Sequence, residues 1–518
     1  MLLAQAVAAL EARGFAAAAT ACDRLLSADP NDSDAQLLLG LALAGLGQVA
    51  PAARLLNQAA ARKGFAHPCQ DLAGMVEQAV LAQQVRACLD LAPDDTRLRL
   101  MWADCLQRAG EADAAIATLQ ALLDDVPATA AAHHRLGMIR AALGEFDAAI
   151  ACMRKAVAID PVPALNWANL GMLLKVQGRF AESLEAYGQA VSRSPADAQI
   201  RVNRVVALLH AGLYAEAWLD HEWRFALSDH VGMPAEGLLP PLASLTSLAG
   251  QRVLLTHEAG FGDTLQFCRY VPLLAARGVR VALAMPRELR RLMDGLAGAS
   301  ELVEVGAALP AYDWHCPMTS LPRVFGTTVE TIPAEVPYLV ADPALVALWA
   351  ARLPRGRRLR VGLVWAGASR PWLPGFATVN ARRSMALALF APFAEIPDVQ
   401  FVSLQAGAPA GEAARPPKGM VLHDPMPGAA DFADTAAIVA NLDLVVSVDT
   451  SVVHLAGALG KPVFLLDRYD NCWRWLSGRT DSPWYPQLRI FRQAQVGEWA
   501  PVVAQAAAAL GEFAASAA

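Results

Sequence analysis

Hydrophobic and small residues recur through the first 227 positions with a helical spacing that resets every 34 residues. Gly110, Gly144, Gly178 and Gly212 stand 34 apart, as do Pro127, Pro161 and Pro195, and Ala115, Ala149, Ser183 and Ala217 keep the same interval between them. Each interval predicts two paired helices. The glycine ends the first, at a position where a left-handed residue is needed. The small residue five positions later lets the partner helix approach, and the proline stops the second helix. Gly14 with Ala19, and Gly40 with Gly47 and Ala52, mark looser units. Residues 61–90 break the spacing, with a turn at His67-Pro68. About six hairpins are expected over 1–227. The last, from Tyr214 through Trp218 and Trp223 to Phe225, is rich in aromatics and is expected to dock on whatever follows.

Periodicity vanishes in 228–250, where proline and glycine mark a linker. The pattern then changes to short apolar strands. Arg252–Thr256 is followed by a glycine-containing loop, His257 to Thr264, a helical stretch from Leu265 to Arg277, and strands at Val279–Ala284 and Leu302–Val305. Strand, loop, helix and strand make one βαβ unit. A second series predicts strands at Leu359–Trp365, Val399–Leu404, Leu444–Val448 and Val463–Leu466, with helices near 386–396, 433–441 and 451–459. The fold class is therefore α + α/β: an N-terminal α-solenoid, then two doubly wound, Rossmann-like lobes over 251–345 and 355–518. A ligand cleft is expected between the lobes, at the carboxyl ends of the strands.

Composition narrows the function. Hydrophobic residues make up 55% of the 518 and charged residues 18%, enough for several cores. The net charge of −6, with no basic stripe, argues against nucleic acid as a partner. The 8 cysteines form no Cys-x-x-Cys pair, so they point to buried thiols in a reducing compartment rather than to zinc. No basic leader opens the chain, and no apolar run has the roughly 18–20 residues needed for a membrane span. A cytoplasmic, soluble protein is expected.

Several residues could carry chemistry. Asp449, Thr450 and Ser451 follow a predicted strand and open a helix, so they either cap it or hold an anion at its free N–H groups. His454, one turn on, can face the same place or pack internally. Asp263 follows Gly262 in the glycine-containing loop, as a helix cap or as the base that takes a proton from an acceptor hydroxyl. His257 and Glu258 compete for that role. Gln405 ends a predicted strand where a base or ribose could be read, and Trp473 and Trp475 could stack on a ligand or pack in a core. Asp32-Ser-Asp34, in a repeat turn, is the one Asp-x-Asp triplet in the chain, so no metal site is expected.

The repeat signature, Trp167-Ala-Asn-Leu-Gly171, Gly178-Arg-Phe, Tyr187, Ala190 and Pro195, resembles the tetratricopeptide repeat (TPR) family. That resemblance implies a groove for a protein or peptide partner. Gly260-Phe-Gly-Asp-Thr-Leu-Gln-Phe-Cys-Arg-Tyr270 and Ser447-Val-Asp-Thr-Ser-Val-Val-His-Leu-Ala-Gly-Ala-Leu-Gly-Lys-Pro462 resemble bacterial TPR-linked glycosyltransferases. The catalytic half of those is similar to heptosyltransferases and, more distantly, to protein O-linked N-acetylglucosamine transferases. This implies a GT-B module whose C-terminal lobe holds a nucleotide-sugar, with Asp449, Thr450, Ser451 and His454 on the diphosphate. Asp263 takes the place of the base in the family's Gly-Asp motif. Arg383 and Ser384 hold its Arg-Ser pair, with Arg383 as the cation facing the leaving phosphate. Trp372-Leu-Pro-Gly-Phe-Ala replaces a stretch that carries lysine in the commoner version. The implied activity is metal-independent, inverting transfer to Ser/Thr of a protein held by the repeats, with flagellin and a nonulosonic acid as one acceptor and sugar. No cofactor beyond the donor is expected. A non-catalytic adaptor, or a transferase acting on a glycan or lipid acceptor, remains as an alternative.

Overall fold

The computed structural model describes residues 2–11, 14–46, 48–60, 81–227, 233, 236–354, 356, 359–368 and 376–517. Outside them lie the His67-Pro68 turn and most of the irregular repeat, part of the linker, and the loop that carries Arg370 and Trp372. Two compact units divide the chain, Met1–Asn166 and Trp167–Ala518.

The first unit is helical. Leu2–Glu11, Phe15–Ala28, Ser33–Gly45 and Val49–Ala60 precede a helix at 81–91 and then Thr96–Arg108, Ala112–Asp125, Ala130–Ala142 and Phe146–Ile159. Its 34-residue rhythm has a local cause. Gly110 and Gly144 adopt φ of +81° and +83° after the first helix of each pair, where a Cβ would be strained. Ala115 and Ala149 are fully buried at the helix crossings. A methyl on Gly137 would already stand 3.2 Å from the carbonyl of Ala149.

The second unit opens inside the helix Ala164–Val176 and continues with Phe180–Arg193, Ala198–His210 and Tyr214–Asp220. Gly178 and Gly212 repeat the left-handed turn at φ +69° and +78°. The Ser183 hydroxyl donates to the Gly171 carbonyl at 2.7 Å, which fixes the crossing of the two helices.

Two parallel sheets follow. In the first lobe β1 (Arg252–Thr256), β2 (Arg280–Met285), β3 (Ala299–Glu304) and β4 (Trp314–Pro317) lie in the order β3-β2-β1-β4. The end of the expected linker joins this sheet, because Leu238 bridges to His315 beside β4. In the second lobe β5 (Leu359–Val364), β6 (Val399–Ser403), β7 (Leu422–His423), β8 (Leu444–Val448), β9 (Val463–Asp467) and β10 (Leu488–Arg492) lie in the order β10-β9-β8-β5-β6-β7. That is the doubly wound arrangement, with its order reversing between β5 and β8.

The elements differ from expectation where local chemistry overrides the apolar pattern. The helical stretch from Leu265 to Arg277 is a helix at Phe261–Phe267, a 3₁₀ turn and a short helix Val271–Ala275, with Pro272 at its start. A proline cannot donate to the preceding turn. The stretch 386–396 is a 3₁₀ segment containing Pro392. β4, β7 and β10 are additional strands. β10 reads Leu-Arg-Ile-Phe-Arg, with charges characteristic of an edge.

One core joins the last repeats to both lobes. Leu208, Tyr214 and Trp218 belong to the same buried cluster as Leu255, Phe267, Tyr270, Val453 and Trp484. The Trp218 indole donates to the Thr327 carbonyl at 2.6 Å. A second core holds Val361, Leu363 and Trp365 of the β5 segment with Phe390, Phe393, Trp499 and Leu510. Val364 instead belongs to the first core, as alternation along a strand buried on both faces requires. Among the described residues no helix is long and apolar enough to cross a membrane.

Candidate functional site

β5 and β8 are neighbours at the point where the strand order reverses, the place where a doubly wound sheet forms its ligand crevice. One wall is Trp365-Ala366-Gly367. Gln405, following β6, pins it. Its Oε1 accepts from the amides of Trp365 and Ala366 at 3.0 and 2.9 Å, and its Nε2 donates to the carbonyls of Ala366 and Ala406, both at 2.9 Å. All four hydrogen-bonding positions of the amide are used. The side chain therefore shapes the loop and has none left with which to read a base or ribose.

The other wall is Asp449-Thr450-Ser451, entering the helix Ser451–Ala458. Thr450 is its N-cap residue but makes no capping bond through its side chain. Its hydroxyl lies 3.2 Å from that of Ser447. The Val453 amide donates to the Thr450 carbonyl at 3.2 Å, and the Ser451 and Val452 amides before it stand at the positive end of the helix dipole.

Arg383 ends the helix Phe376–Arg383 and spans the crevice. Its Nη1 donates to the Asp449 carbonyl at 3.2 Å and its Nε to Asn380 Oδ1 at 3.1 Å. Ser384 Oγ accepts from the Gly367 amide at 3.1 Å. A Cβ on Gly367 would fall 2.4 Å from both Arg383 Nε and Asn380 Oδ1, so glycine is what lets the guanidinium lie against this loop. The structure thus brings Arg383, Ser384, Asp449, Thr450 and Ser451 together.

His454 lies on the same helix but is 5% exposed, with Nδ1 2.9 Å from the Tyr485 hydroxyl and its ring stacked on Trp475. Burial, reinforced by Arg474 and Arg269, drives its pKa well below the usual histidine range. The ring is neutral and brings no charge to a diphosphate. It packs on Gly262 of the first lobe, whose absent side chain leaves the room it occupies.

The loop after β1 holds the remaining candidates. Asp263 Oδ2 accepts from the Gly260 amide at 2.8 Å, and its Oδ1 accepts from the Arg474 guanidinium of the second lobe. Both oxygens are engaged, so acting as a base requires the ion pair to open. His257 Nδ1 lies 2.7 Å from the Thr264 hydroxyl. Glu258 is turned away towards the repeats. Arg224 grips its two oxygens at 3.0 Å each, and the Thr319 hydroxyl donates to one of them. Burial raises the proton affinity of Glu258, but Arg224, Thr319 and His221 outweigh it and hold the carboxyl below its ordinary range. A carboxylate so held is a clasp for the last repeat rather than an acid–base group.

Three arginines of this region escaped the sequence reading. Arg224 joins Glu222, Glu258 and Ser320. Arg269 is 3% exposed, donates to the carbonyls of Trp484 and Pro333, and lies against the rings of Tyr338 and Tyr485. Arg474 ties Asp263 and Gln266 of the first lobe to the second. Apart from Glu222, two positions before Arg224, these partners are 30 or more positions away in the chain, so no local pattern announces them. Trp473 and Trp475 pack internally, Trp473 against Tyr214 and Trp484, and Trp475 against His454.

The chain matches the tetratricopeptide repeat at residues 3–67, 100–162 and 169–220. Residues 425–502, from before β8 to the start of the last helix, match glycosyltransferase family 9 (heptosyltransferase). Protein FlbA of Caulobacter vibrioides is 31% identical over 338 residues, which is 60% of this chain and 55% of that protein, so the chain spans about half the length of this relative. Among solved structures, the E. coli ADP-heptose lipopolysaccharide heptosyltransferase II has a TM-score of 0.38 at 12% identity, over 51% of this chain and all of that one. The Thermobaculum terrenum O-GlcNAc transferase mutant has a TM-score of 0.28 at 14% identity, over 85% and 93% of the two chains.

Proposed function

We propose that the chain is a glycosyltransferase that takes a sugar from a nucleotide-sugar bound at the β5/β8 switch point and places it, with inversion, on Ser or Thr of a protein recruited by the repeats. The observation that carries this reading is the crossing of Arg383 onto the Asp449–Ser451 loop, where a guanidinium meets a helix N-terminus at the carboxyl edge of a doubly wound sheet. A leaving nucleotide phosphate, a nucleoside diphosphate or the CMP released by a nonulosonic acid donor, needs that combination, because both groups stabilise the negative charge that develops as the sugar departs. The family 9 match over this part of the chain agrees with it. Asp263 or His257 takes the acceptor proton, and with Asp263 the clasp to Arg474 opens when the acceptor enters. Flagellin and a nonulosonic acid are the acceptor and sugar to try first.

A second reading, a nucleotide-sugar-binding adaptor without transfer, is favoured by the same clasp, which occupies both Asp263 oxygens. A thermal-shift panel with UDP, GDP, ADP, CMP and CDP tests the site. One nucleotide at about 100 times its Kd should add about 2.7 kcal/mol, a rise of several degrees. Thr450→Ala with Ser451→Ala should abolish that shift. Incubation of the matching nucleotide-sugar with candidate acceptor proteins, read by intact mass, then separates transferase from adaptor. No shift with any of the five in folded protein would overturn the donor site.

A further inference from the structure

A cavity of about 430 Å³ opens within the second unit, between the last full repeat and the chain that follows β9. Lys175 and His210 line it from the repeat helices, Gln177 from the turn after Val176, and Arg468, Asp470 and Arg492 from the lobe. Its size is that of a small-ligand pocket. Its charges do not balance. Asp470 is shared by Arg382 at 3.0 Å and Arg468 at 3.5 Å. Arg492 is spent on Asp467 at 2.9 Å and on the Leu476 carbonyl at 2.7 Å. Lys175, by contrast, makes no hydrogen bond or ion pair among the described residues, feeling Asp470 only through space. The buried Arg468 Nε has only its 3.5 Å ion pair with Asp470 and no hydrogen-bond acceptor.

The remaining wall adds no negative charge. Burial, together with Lys175, Arg468 and Arg492, pushes His210 down to about 3, so its ring is neutral. Burial also lowers the pKa of Lys175, with Asp470 opposing and Arg468 adding to the shift. A cation taken from water without a partner is costly, and an incoming anion would relieve that cost. The helix Phe376–Arg383 connects this cavity to the switch point. Val379 lines the cavity and accepts from Arg468 through its carbonyl, Arg382 fixes Asp470, and Arg383 lies on Asp449.

We propose that this cavity is a second binding site, for a small oxyanion, carboxylate or phosphate, gripped by Lys175 from the repeats and by Arg468 of the lobe. The oxyanion comes either from a small free molecule or from an acidic side chain of a polypeptide in the repeat groove. Either way the last repeat and the lobe bind one ligand jointly. The proposal does not depend on glycosyl transfer, and its test uses none.

The chain has five lysines, and Lys155 and Lys418 are exposed, so site-resolved acetylation by trace acetic anhydride at pH 8 can be read by peptide mass. The full chain is labelled at matched ionic strength in sodium chloride, inorganic phosphate, malonate, or a short blocked peptide containing Glu beside Ser, with its Gln counterpart as control. Slowing at Lys175 of fivefold or more, with Lys155 and Lys418 unchanged, is the expected result. Phosphate or malonate as the effective probe identifies a free anion, and the Glu peptide alone identifies an acidic side chain. Arg468→Gln should reduce the protection in either case. Failure of all probes to slow Lys175, or equal slowing at every lysine, overturns the proposal.

Discussion

Gly262 lies at a close contact between the two lobes. A methyl there would lie 2.7 Å from His454 Cδ2, 3.4 Å from its Nε2 and 3.5 Å from Ser451 Cα. The imidazole has little room to retreat, because Nδ1 is 2.9 Å from the Tyr485 hydroxyl and the ring is stacked on Trp475 at 5.4 Å. Gly262→Ala must therefore part the helices Phe261–Phe267 and Ser451–Ala458. Overpacking of this kind costs about 1–3 kcal/mol. Alanine in a helix returns roughly 0.5–1 kcal/mol of that relative to glycine, which leaves a net loss centred on about 1 kcal/mol and reaching at most about 2.5 kcal/mol. The cost belongs to one ring, so it should vanish when the ring is removed. Gly262→Ala on top of His454→Ala should be no less stable than His454→Ala alone, a coupling of about 1–3 kcal/mol in a double-mutant cycle. Urea unfolding followed by tryptophan fluorescence measures it, with Trp475 beside the affected ring as the local reporter. Shifting Ser451 should also weaken nucleotide binding, which calorimetry would detect. A Gly262→Ala protein as stable as the parent, or an undiminished penalty without the His454 ring, would refute the reasoning.

Arg383→Ala should cut affinity for the preferred nucleotide diphosphate about tenfold to a hundredfold, the range for charge-assisted hydrogen bonds of about 1.5–3 kcal/mol; unchanged affinity by calorimetry removes Arg383 from the site. Arg224→Met should destabilise the junction by about 3–5 kcal/mol, since it strands Glu258 as a largely buried charge, while Glu222 keeps its ion pair with Arg323. Arg224→Met with Glu258→Gln should recover part of that loss in urea melts, and Glu258→Gln alone should leave the pH–rate profile of transfer unmoved. His210 is held neutral down to about 3 from an ordinary 6.5. The unfolded chain therefore takes up this proton first as the pH falls. The stabilisation is complete above pH 6.5 and is lost by up to about 1.4 kcal/mol per pH unit towards pH 3. His210→Gln should reduce the acid sensitivity of the urea midpoint over that window by one proton's worth, and parallel curves would contradict it.

The sequence was most legible where a structural demand is local. A left-handed turn asks for glycine and a helix crossing for a small residue, so the positions of Gly110 to Gly212 and of Ala115 to Ala217 in the hairpins followed from their spacing. The strands β1, β2, β5, β6, β8 and β9 were readable as buried apolar runs. The strands β4, β7 and β10 were not, because short or edge strands lack that signal. At the switch point the helix-opening Asp449-Thr450-Ser451 had a local pattern, whereas the reach of Arg383 to it is a tertiary fact. Gln405 and Glu258 show the limit most clearly. Each is the right residue type beside the right strand, yet each is consumed by partners that only the fold supplies: two amides and two carbonyls for Gln405, and Arg224 with Thr319 for Glu258.

The shared core of Tyr214, Trp218 and the first lobe bears on how such chains can be recombined. Cutting at the proline-rich stretch after Phe225 would leave both pieces with a raw aromatic surface, because Tyr214 meets Trp473 and Trp484, and Trp218 meets Thr327. A transplanted sheet-bearing half must carry the hairpins from Trp167 onward with it, so laboratory exchange of the earlier repeats has its seam upstream of that tryptophan. Repeats before the seam are free to diversify, whereas those after it are inherited with the sheets they cover.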